Sequence, residues 1–303
     1  MGMPIMDYLK NFCVKPGSKV DLSKVDADFS DKHESHEHAL PEIERYTRKM
    51  HELQYLLYAE GKRSLLICLQ GRDAAGKDGT INHVLTGMNP QGCTVTGFKV
   101  PSKEEAAHDF LWRYHKAAPE CGQVAIFNRS HYEEVLVQRV HNMVPKDVWS
   151  RRYEHINDFE RMLYENGTHI LKFYLHIDPN EQLKRFKQRI DDPTRHWKIS
   201  DGDYAERPYW DDYTKAFEEA LSKCSTKHAP WFIIPSNHKW FRNLAISKIV
   251  SDALESLEMK FPEPTVDIGE IKKKYHEIVV AEGVTGDDGN DGQAEHRKGG
   301  NHK

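Results

Sequence analysis

Apolar side chains along the chain follow two different periods, and the first of them is helical. Between residues 40 and 62 they recur every three or four positions, which predicts an amphipathic helix with one buried face. Pro41 suits a first helical turn, so we expect the helix to open near this residue. The periodic positions are Ile43, Tyr46, Met50, Leu53 and Leu57.

Apolar runs of strand length come next and alternate with helical segments. The predicted strands are 64–70, 93–100, 123–128, 168–177 and 230–236. The predicted helices between and after them include 78–88, 102–117 and 240–260. This alternation predicts an α/β fold whose mostly parallel sheet is covered on both faces.

Both ends of the chain lack this pattern. In residues 1–36 apolar positions are too sparse for a regular element, which predicts an N-terminal arm that wraps the surface. Residues 263–282 are expected to form a C-terminal extension. Residues 283–303 consist largely of Gly, Asp and Asn with almost nothing to bury, which predicts a disordered tail.

Composition narrows the class of protein. Of the 303 residues, 38% are hydrophobic, and the longest apolar runs are only strand-sized. The N-terminus lacks a signal-peptide layout, so we expect a cytoplasmic protein with no membrane segment. Five widely spaced cysteines without a C-x-x-C pair argue against a disulfide framework. The net charge of −4 gives no overall attraction to polyanions, so we expect no nucleic-acid partner, and a phosphate-rich ligand would depend on local basic clusters.

A glycine-rich stretch, GRDAAGKDGT at residues 71–80, carries the first chemical signal. Gly71, Gly76 and Lys77 match the phosphate-loop pattern, which lies here between a predicted strand and a predicted helix. Such a loop closes backbone N–H groups around phosphate oxygens, and its lysine reaches a transferred phosphate. The alternative is a tight strand-to-helix turn with an incidental lysine.

Two aspartates distinguish this loop from a usual phosphate loop. Asp73 lies inside it, and Asp78 occupies the position where a Ser or Thr hydroxyl is common. Carboxylates beside phosphate are unfavourable unless a divalent cation lies between them, so the pattern predicts magnesium. Asp78 could equally be a carboxylate that stabilises the helix N-terminus.

A second candidate stretch, IFNRSHYEEV, spans residues 126–135 at the end of the third strand. Ligands of open α/β sheets bind beyond such strand ends. Asn128 cannot act as a base, so acid-base or metal chemistry would fall to Asp73, Glu133 or Glu134. Arg129 suits bidentate phosphate contact. The alternative for the glutamates is an exposed helix face.

A basic stretch at residues 183–213 is the third candidate. Six cations occur within fifteen residues, and a loop without core-forming periodicity follows. Such a stretch could close over phosphates as a lid, or it could be a solvated helix face followed by an ordinary loop. The six are Lys184, Arg185, Lys187, Arg189, Arg195 and Lys198.

Five ordered blocks of sequence together resemble the polyphosphate kinase 2 family, over roughly residues 40–260. They read GRDAAGKDGT, NPQGCTVTGFKVPSKEEAAHDFLWRYH, FNRSHYEEVLVQRV, ENGTHILKFYLHI and KHAPWFIIPSNHKWF. The resemblance implies a P-loop kinase-like, three-layer α/β/α catalytic domain at residues 37–262, with a lid at about 190–210. It also implies phosphoryl transfer between inorganic polyphosphate and nucleotides with Mg²⁺ or Mn²⁺.

Roles for individual residues follow from the same resemblance. It implies catalytic roles for Asp73, Lys77, Arg129 and Glu133. It implies that the phosphates are held by Gly71, Ala74, Ala75, Gly76, Lys77, Asp78, Gly79 and Arg129, and that the polyphosphate chain is tracked by Arg185, Arg189 and Arg195. Metal ligands are expected among Asp73, Asp78, Asn128 and Glu133.

The asparagine at position 128 bears on the subclass. Many family members have Asp there, whereas NRSHYE is similar to the subclass called class III, which phosphorylates both nucleoside mono- and diphosphates. We therefore expect ADP and ATP to be made from AMP and ADP. As separate expectations, other nucleotides can also serve and the protein forms a homo-oligomer. The alternatives are an ATP-dependent nucleotide kinase and a nucleotide-binding regulatory module without turnover.

Overall fold

Five parallel strands form the central sheet of the computed structural model, which describes residues 6–282. Their order across the sheet is β2-β3-β1-β4-β5, so the chain leaves β1 first towards one edge and then towards the other. The carboxyl end of β1 is therefore the point where the topology reverses, which is where α/β sheets bind ligands. The strands are β1 Ser64–Gly71, β2 Cys93–Gly97, β3 Val124–Asn128, β4 Thr168–His176 and β5 Trp231–Pro235.

Helices cover both faces of this sheet, which confirms the predicted three-layer α/β/α class. Long helices α2, α7 and α11 pack on the sheet, and several helices of one or two turns connect the larger elements. Within the described residues the α-helices are α1 Tyr8–Asn11, α2 His36–Glu60, α3 Lys77–Thr86, α4 Lys103–Ala106, α5 Trp112–Lys116, α6 Val137–Val140, α7 Lys146–Glu165, α8 Pro179–Asp191, α9 Asp201–Ala205, α10 Trp210–Cys224, α11 Lys239–Glu255 and α12 Ile268–Glu282.

The buried strands explain why the sequence shows continuous apolar runs. In β1, Leu65, Ile67 and Leu69 pack against the layer that contains α2, α3 and α11. The alternate residues Leu66 and Cys68 pack on the opposite layer, against α5 and α7. A strand that is covered on both faces buries all of its side chains, so its sequence does not alternate between apolar and polar residues.

Three predicted helices have wrong bounds, and one of them, predicted at 240–260, is α11, which ends at Glu255. Helix α2 begins at His36, where the Ser35 hydroxyl accepts a hydrogen bond from His38 N, and Pro41 lies inside the helix instead of opening it. The cap satisfies a free N–H group at the helix start, which outweighs the preference of proline for the first turn. The segment predicted as one helix at 102–117 is divided into α4 and α5, with the Asp109 side chain accepting from Leu111 N between them.

The N-terminal segment contains regular elements, contrary to expectation. Asp7 caps helix α1, and Asp21 caps a 3-10 turn at Leu22–Lys24. Between them, Val14 N donates to Trp231 O at 2.8 Å and Ile233 N donates to Phe12 O at 2.9 Å. The segment thus covers the outer edge of β5, where unpaired backbone groups would otherwise be exposed.

Residues 262–282 belong to a separate unit; they include α12, and none of their side chains is buried. The predicted disordered tail at 283–303 lies outside the described residues. Within residues 6–282, no helix is both long and apolar enough to cross a membrane.

A fully buried ionic network lies beneath the end of β3. Lys172 Nζ donates to Glu160 Oε2 at 2.5 Å, to the Tyr132 hydroxyl at 2.8 Å and to Cys224 O at 2.6 Å. Glu160 Oε1 accepts from Tyr132 and from His131 Nε2, each at 2.9 Å. Burial lowers the pKa of His131, so its ring is neutral. The network fixes the turn that begins at His131 to helix α7 and strand β4.

We expect Lys172→Met to lower the free energy of unfolding by about 3–5 kcal/mol, because Glu160 would keep a buried charge without its cation. The measurement is urea denaturation followed by circular dichroism. The control is Lys187→Met, which removes an exposed pair with Asp191 and is expected to cost less than about 1 kcal/mol. Equal effects of the two substitutions would contradict the proposed importance of the network.

Candidate active site

The glycine loop joins the carboxyl end of β1 to the start of α3, as the phosphate-loop pattern predicts. Gly76 is the N-cap residue of α3 and adopts a left-handed conformation with φ of 107°. Lys77 Nζ donates to Gly71 O at 2.8 Å and to Arg72 O at 3.3 Å, which holds the ammonium across the mouth of the loop. Burial lowers the pKa of Lys77, so a phosphate oxygen would be a favourable partner for it.

Arg185 of α8 holds this loop from behind. Its Nη1 donates to Ala74 O and Ala75 O, each at 2.9 Å, while Nη2 donates to the carbonyl oxygens of Ser236 and Asn237. Its Nε donates to Glu181 at 2.8 Å. All five N–H donors are therefore engaged with protein acceptors. Arg185 lines the larger cavity, but in this structure no donor of it is left for a phosphate, and its predicted contact with a phosphate chain stays a prediction.

Strand β3 ends next to the loop and brings the second candidate stretch to it. Asn128 Nδ2 donates to Asp78 Oδ1 at 3.0 Å, and Arg129 Nη2 donates to Asp73 Oδ1 at 3.4 Å. Arg129 has a left-handed backbone with φ of 63°, which is strained for a residue with a side chain. Its N–H donates to Leu69 O at 3.1 Å, and the buried ionic network starts two residues later. These contacts hold the strained residue in place.

The two glutamates that follow point to different environments. Glu133 lines a cavity beside Asp73 and Arg129. Burial raises the pKa of its carboxyl, although Arg129 and Lys77 act to lower it. Glu134 lies in the core, where it accepts from Arg152 at 2.9 Å and from the Tyr114 hydroxyl at 3.3 Å. Glu133 is therefore available to the site, whereas Glu134 anchors helix α7.

Two cavities meet at Asp73 and Arg129. The larger one has a volume of 820 Å³, and its lining includes nine cationic and only three acidic side chains. The smaller one, of 260 Å³, is lined by apolar side chains together with four acidic side chains and three arginines, and its lining includes Glu133, Trp210 and Tyr213. The first suits a polyanion, and the second suits a smaller ligand with an apolar part.

The four predicted metal ligands do not converge on one point. Asp78 and Asn128 line the larger cavity, Glu133 lines the smaller one, and Asp73 lines both. Within the described part of the chain, no group of three or more His, Cys, Asp or Glu side chains is arranged to hold a metal ion. The oxygen donors suit Mg²⁺, which commonly takes one or two carboxylates together with substrate phosphates and waters.

The predicted lid consists of two 3-10 turns, Pro193–Lys198 and Arg207–Tyr209, on either side of α9. Two arginines in or next to this segment already have acidic partners. Arg189 Nη1 lies 3.1 Å from Asp203 Oδ2, and Arg195 Nε lies 2.8 Å from Asp192 Oδ2. Both arginines line the larger cavity.

Sequence reasoning missed three cations of the larger cavity: Lys99, which follows β2, and Lys239 and Arg242, which belong to α11. Arg242 is 3% exposed and is flanked by the buried side chains of Phe241 and Leu244. A charged residue in such an apolar run was the available signal. Arg72 was also missed; its guanidinium stacks on the Trp210 ring at 3.8 Å from the centroid and separates the smaller cavity from a third one.

Comparison with known proteins identifies relatives along most of the chain. A family model described as Polyphosphate kinase 2 (PPK2) matches residues 32–262. The AMP/ADP-polyphosphate phosphotransferase of Meiothermus ruber is 46% identical over 257 residues, which cover 84% of this chain and 96% of the relative. The ADP-polyphosphate phosphotransferase of Rhodopseudomonas palustris is 45% identical over 268 residues, which cover 84% and 93% of the two chains. The crystal structure of Polyphosphate Kinase 2 from Arthrobacter aurescens TC1 superposes with a TM-score of 0.86 and 40% identity, covering 90% of this chain and 97% of the other.

The tight contact behind the loop gives a prediction for Gly76→Ala. The new methyl group would overlap Arg242 Nη1, and the left-handed backbone disfavours any side chain. We expect a loss of about 1–3 kcal/mol in the free energy of unfolding, measured by thermal denaturation. Gly97→Ala is the control, because a methyl group there would meet no described atom within 4 Å. The steric argument fails if both variants unfold alike.

Proposed function

The chain belongs to the polyphosphate kinase 2 family, and we propose that it uses polyphosphate to convert both AMP to ADP and ADP to ATP. Members of this family transfer phosphate between polyphosphate and nucleotides, and this chain is a kinase of that kind. One relative is named for both acceptors and another for ADP alone, at nearly equal identity. The names of the relatives therefore do not decide whether this chain uses both acceptors, which is class III activity. The range of acceptors has to be inferred from the site.

The observation that carries the proposal is the meeting of two unlike cavities at Asp73 and Arg129. We infer that the cationic cavity takes the polyphosphate chain and that the smaller cavity takes the acceptor nucleotide. The acceptor phosphate would then face the donor phosphate beside Lys77, at the end of the glycine loop. Such positioning of two charged reactants provides much of the catalysis in phosphoryl transfer.

The reaction needs little acid-base chemistry from the protein. The attacking oxygen of AMP or ADP is ionised at neutral pH, so an asparagine at position 128 is compatible with transfer. Lys77 and Arg129 would neutralise charge on the transferred phosphoryl group, while loop N–H groups bind its oxygens. Asn128 would orient the Asp78 carboxylate, to which it already donates a hydrogen bond.

We propose that Mg²⁺, or Mn²⁺ in its place, is bound by Asp73 together with Asp78 or Glu133. Such an ion would supply positive charge that offsets the negative charge of the reacting phosphates. The Asp73 carboxylate accepts a hydrogen bond from Arg129 Nη2 at 3.4 Å, a long contact that a metal-bound carboxylate could release. Use of other nucleotides, homo-oligomer formation and a cytoplasmic location stay predictions.

We expect purified protein, long-chain polyphosphate and Mg²⁺ to yield ATP from ADP, and both ADP and ATP from AMP. The nucleotides are measured by ion-exchange chromatography with each acceptor tested separately. Lys77→Met is expected to reduce transfer by at least about 100-fold, because it removes the cation at the transferred group.

Each other outcome leads to a different assignment. If AMP gives ADP and no ATP, the chain does not belong to class III. If transfer occurs with ATP as donor and not with polyphosphate, the chain is an ATP-dependent nucleotide kinase. Nucleotide binding without any transfer would indicate a regulatory module.

Asp73→Asn tests the metal assignment. We expect the Mg²⁺ concentration that gives half-maximal activity to rise by about tenfold or more, because the variant loses a charged oxygen ligand. The measurement is a Mg²⁺ titration of initial rate at saturating substrates. Asp158→Asn on the exposed face of α7 is the control and should leave the titration unchanged. An unchanged titration for Asp73→Asn would exclude this residue as a ligand.

A further inference from the structure

The cations that line the larger cavity differ in how their charge is balanced. Arg185 is saturated by protein acceptors, while Arg189 and Arg195 form ion pairs with aspartates of the lid region. Each paired arginine has to release or share its carboxylate before it can bind a phosphate. The lid arginines are therefore weaker candidates for holding a phosphate chain than cations without acidic partners.

Arg242 is such a cation. It is 3% exposed, and its side-chain hydrogen bonds go to one neutral acceptor, Asn243 Oδ1, from Nε at 3.1 Å and from Nη2 at 2.8 Å. Among the described residues no carboxylate lies within ion-pair distance of it. Its guanidinium packs against the backbone of Gly76 and Gly79, at the start of the helix that follows the phosphate loop.

The electrostatic environment of Arg242 is unfavourable in the protein alone. Burial and the neighbouring Arg185 lower the pKa of Arg242 to about 9. A buried cation without a counter-charge costs free energy that a bound anion recovers. An anion in the cavity is the partner that the site lacks.

Lys239 lies one turn before Arg242 on the same face of α11 and also lines the larger cavity. Its Nζ lies 3.3 Å from the neutral Gln188 Oε1, and no described carboxylate pairs with it. Burial lowers the pKa of Lys239, and the nearby Arg185 and Arg195 add to this effect. Two adjacent cations therefore line the cavity, and neither has a described carboxylate within ion-pair distance.

We propose that Lys239 and Arg242 form a subsite for a phosphate group of the polyphosphate donor, next to the group held by the glycine loop. This assignment rests on the proposed function and places the donor chain along α11 instead of along the lid. Both residues line the cationic cavity and neither lines the smaller one, which favours the donor over the acceptor as the source of the phosphate.

The test is a comparison of Michaelis constants. We expect Lys239→Ala and Arg242→Gln each to raise the KM for polyphosphate by about fivefold or more at saturating ADP, because each removes a charge-assisted contact. The KM for ADP at saturating polyphosphate should change less than about twofold, since the acceptor lies elsewhere. Arg242→Lys should restore part of the loss. Lys215→Ala, an exposed cation of α10, is the control for general loss of positive charge.

The outcomes separate this inference from the proposed function. Absence of transfer by the unaltered protein would overturn the function itself. If the unaltered protein is active and Lys239→Ala keeps its KM for polyphosphate, the subsite is wrong. An equal rise in the KM for ADP would assign the subsite to a nucleotide phosphate and overturn the donor assignment. A larger effect of Arg195→Ala than of Lys239→Ala would place the chain along the lid. Because Lys239 is partly exposed, Lys239→Ala is expected to fold, and its KM for polyphosphate can be measured even if Arg242→Gln unfolds.

Discussion

A loop that turns its N–H groups towards a phosphate must turn its carbonyl oxygens away, and those oxygens need donors of their own. In this protein the donors come from side chains. Arg185 binds the carbonyl oxygens of Ala74 and Ala75, Gln182 Nε2 donates to Asp73 O at 2.9 Å, and Lys77 binds that of Gly71. Because Arg185 also binds the end of β5, the same guanidinium links the loop, α8 and the sheet.

The buried network behind β3 complements this clamp from the other side. It fixes His131 and Tyr132, which lie between Arg129 and Glu133 in the sequence. Both sides of the junction between the cavities are thus held by hydrogen bonds of buried side chains. This rigidity matters because phosphoryl transfer between two anions depends on their placement more than on proton transfer. The charge of the cavity would then act on reactants whose geometry is already set.

Sequence reasoning succeeded where a local pattern decides the structure. The five strands and the glycine loop could be located because apolar runs and the spacing of Gly71, Gly76 and Lys77 depend on neighbouring residues only. It failed where distant contacts decide. Nothing in the local sequence distinguishes Arg185, whose donors are all engaged by backbone carbonyl oxygens and Glu181, from the lid arginines nearby. The position of Arg242 facing the cavity depends on how α11 packs against the glycine loop, which the sequence does not display.

The pairing of the N-terminal segment with the edge of β5 has a consequence for the order of folding. Ser225 Oγ donates to Val14 O across a separation of 211 residues, and the neighbouring strand residues complete the contact. During synthesis, residues 6–36 leave the ribosome long before the strand that receives them. The segment cannot pair with β5 until β5 has been synthesised, and closing a loop of this length is slow. The N-terminal segment, although it is synthesised first, therefore pairs with the edge of β5 late in folding.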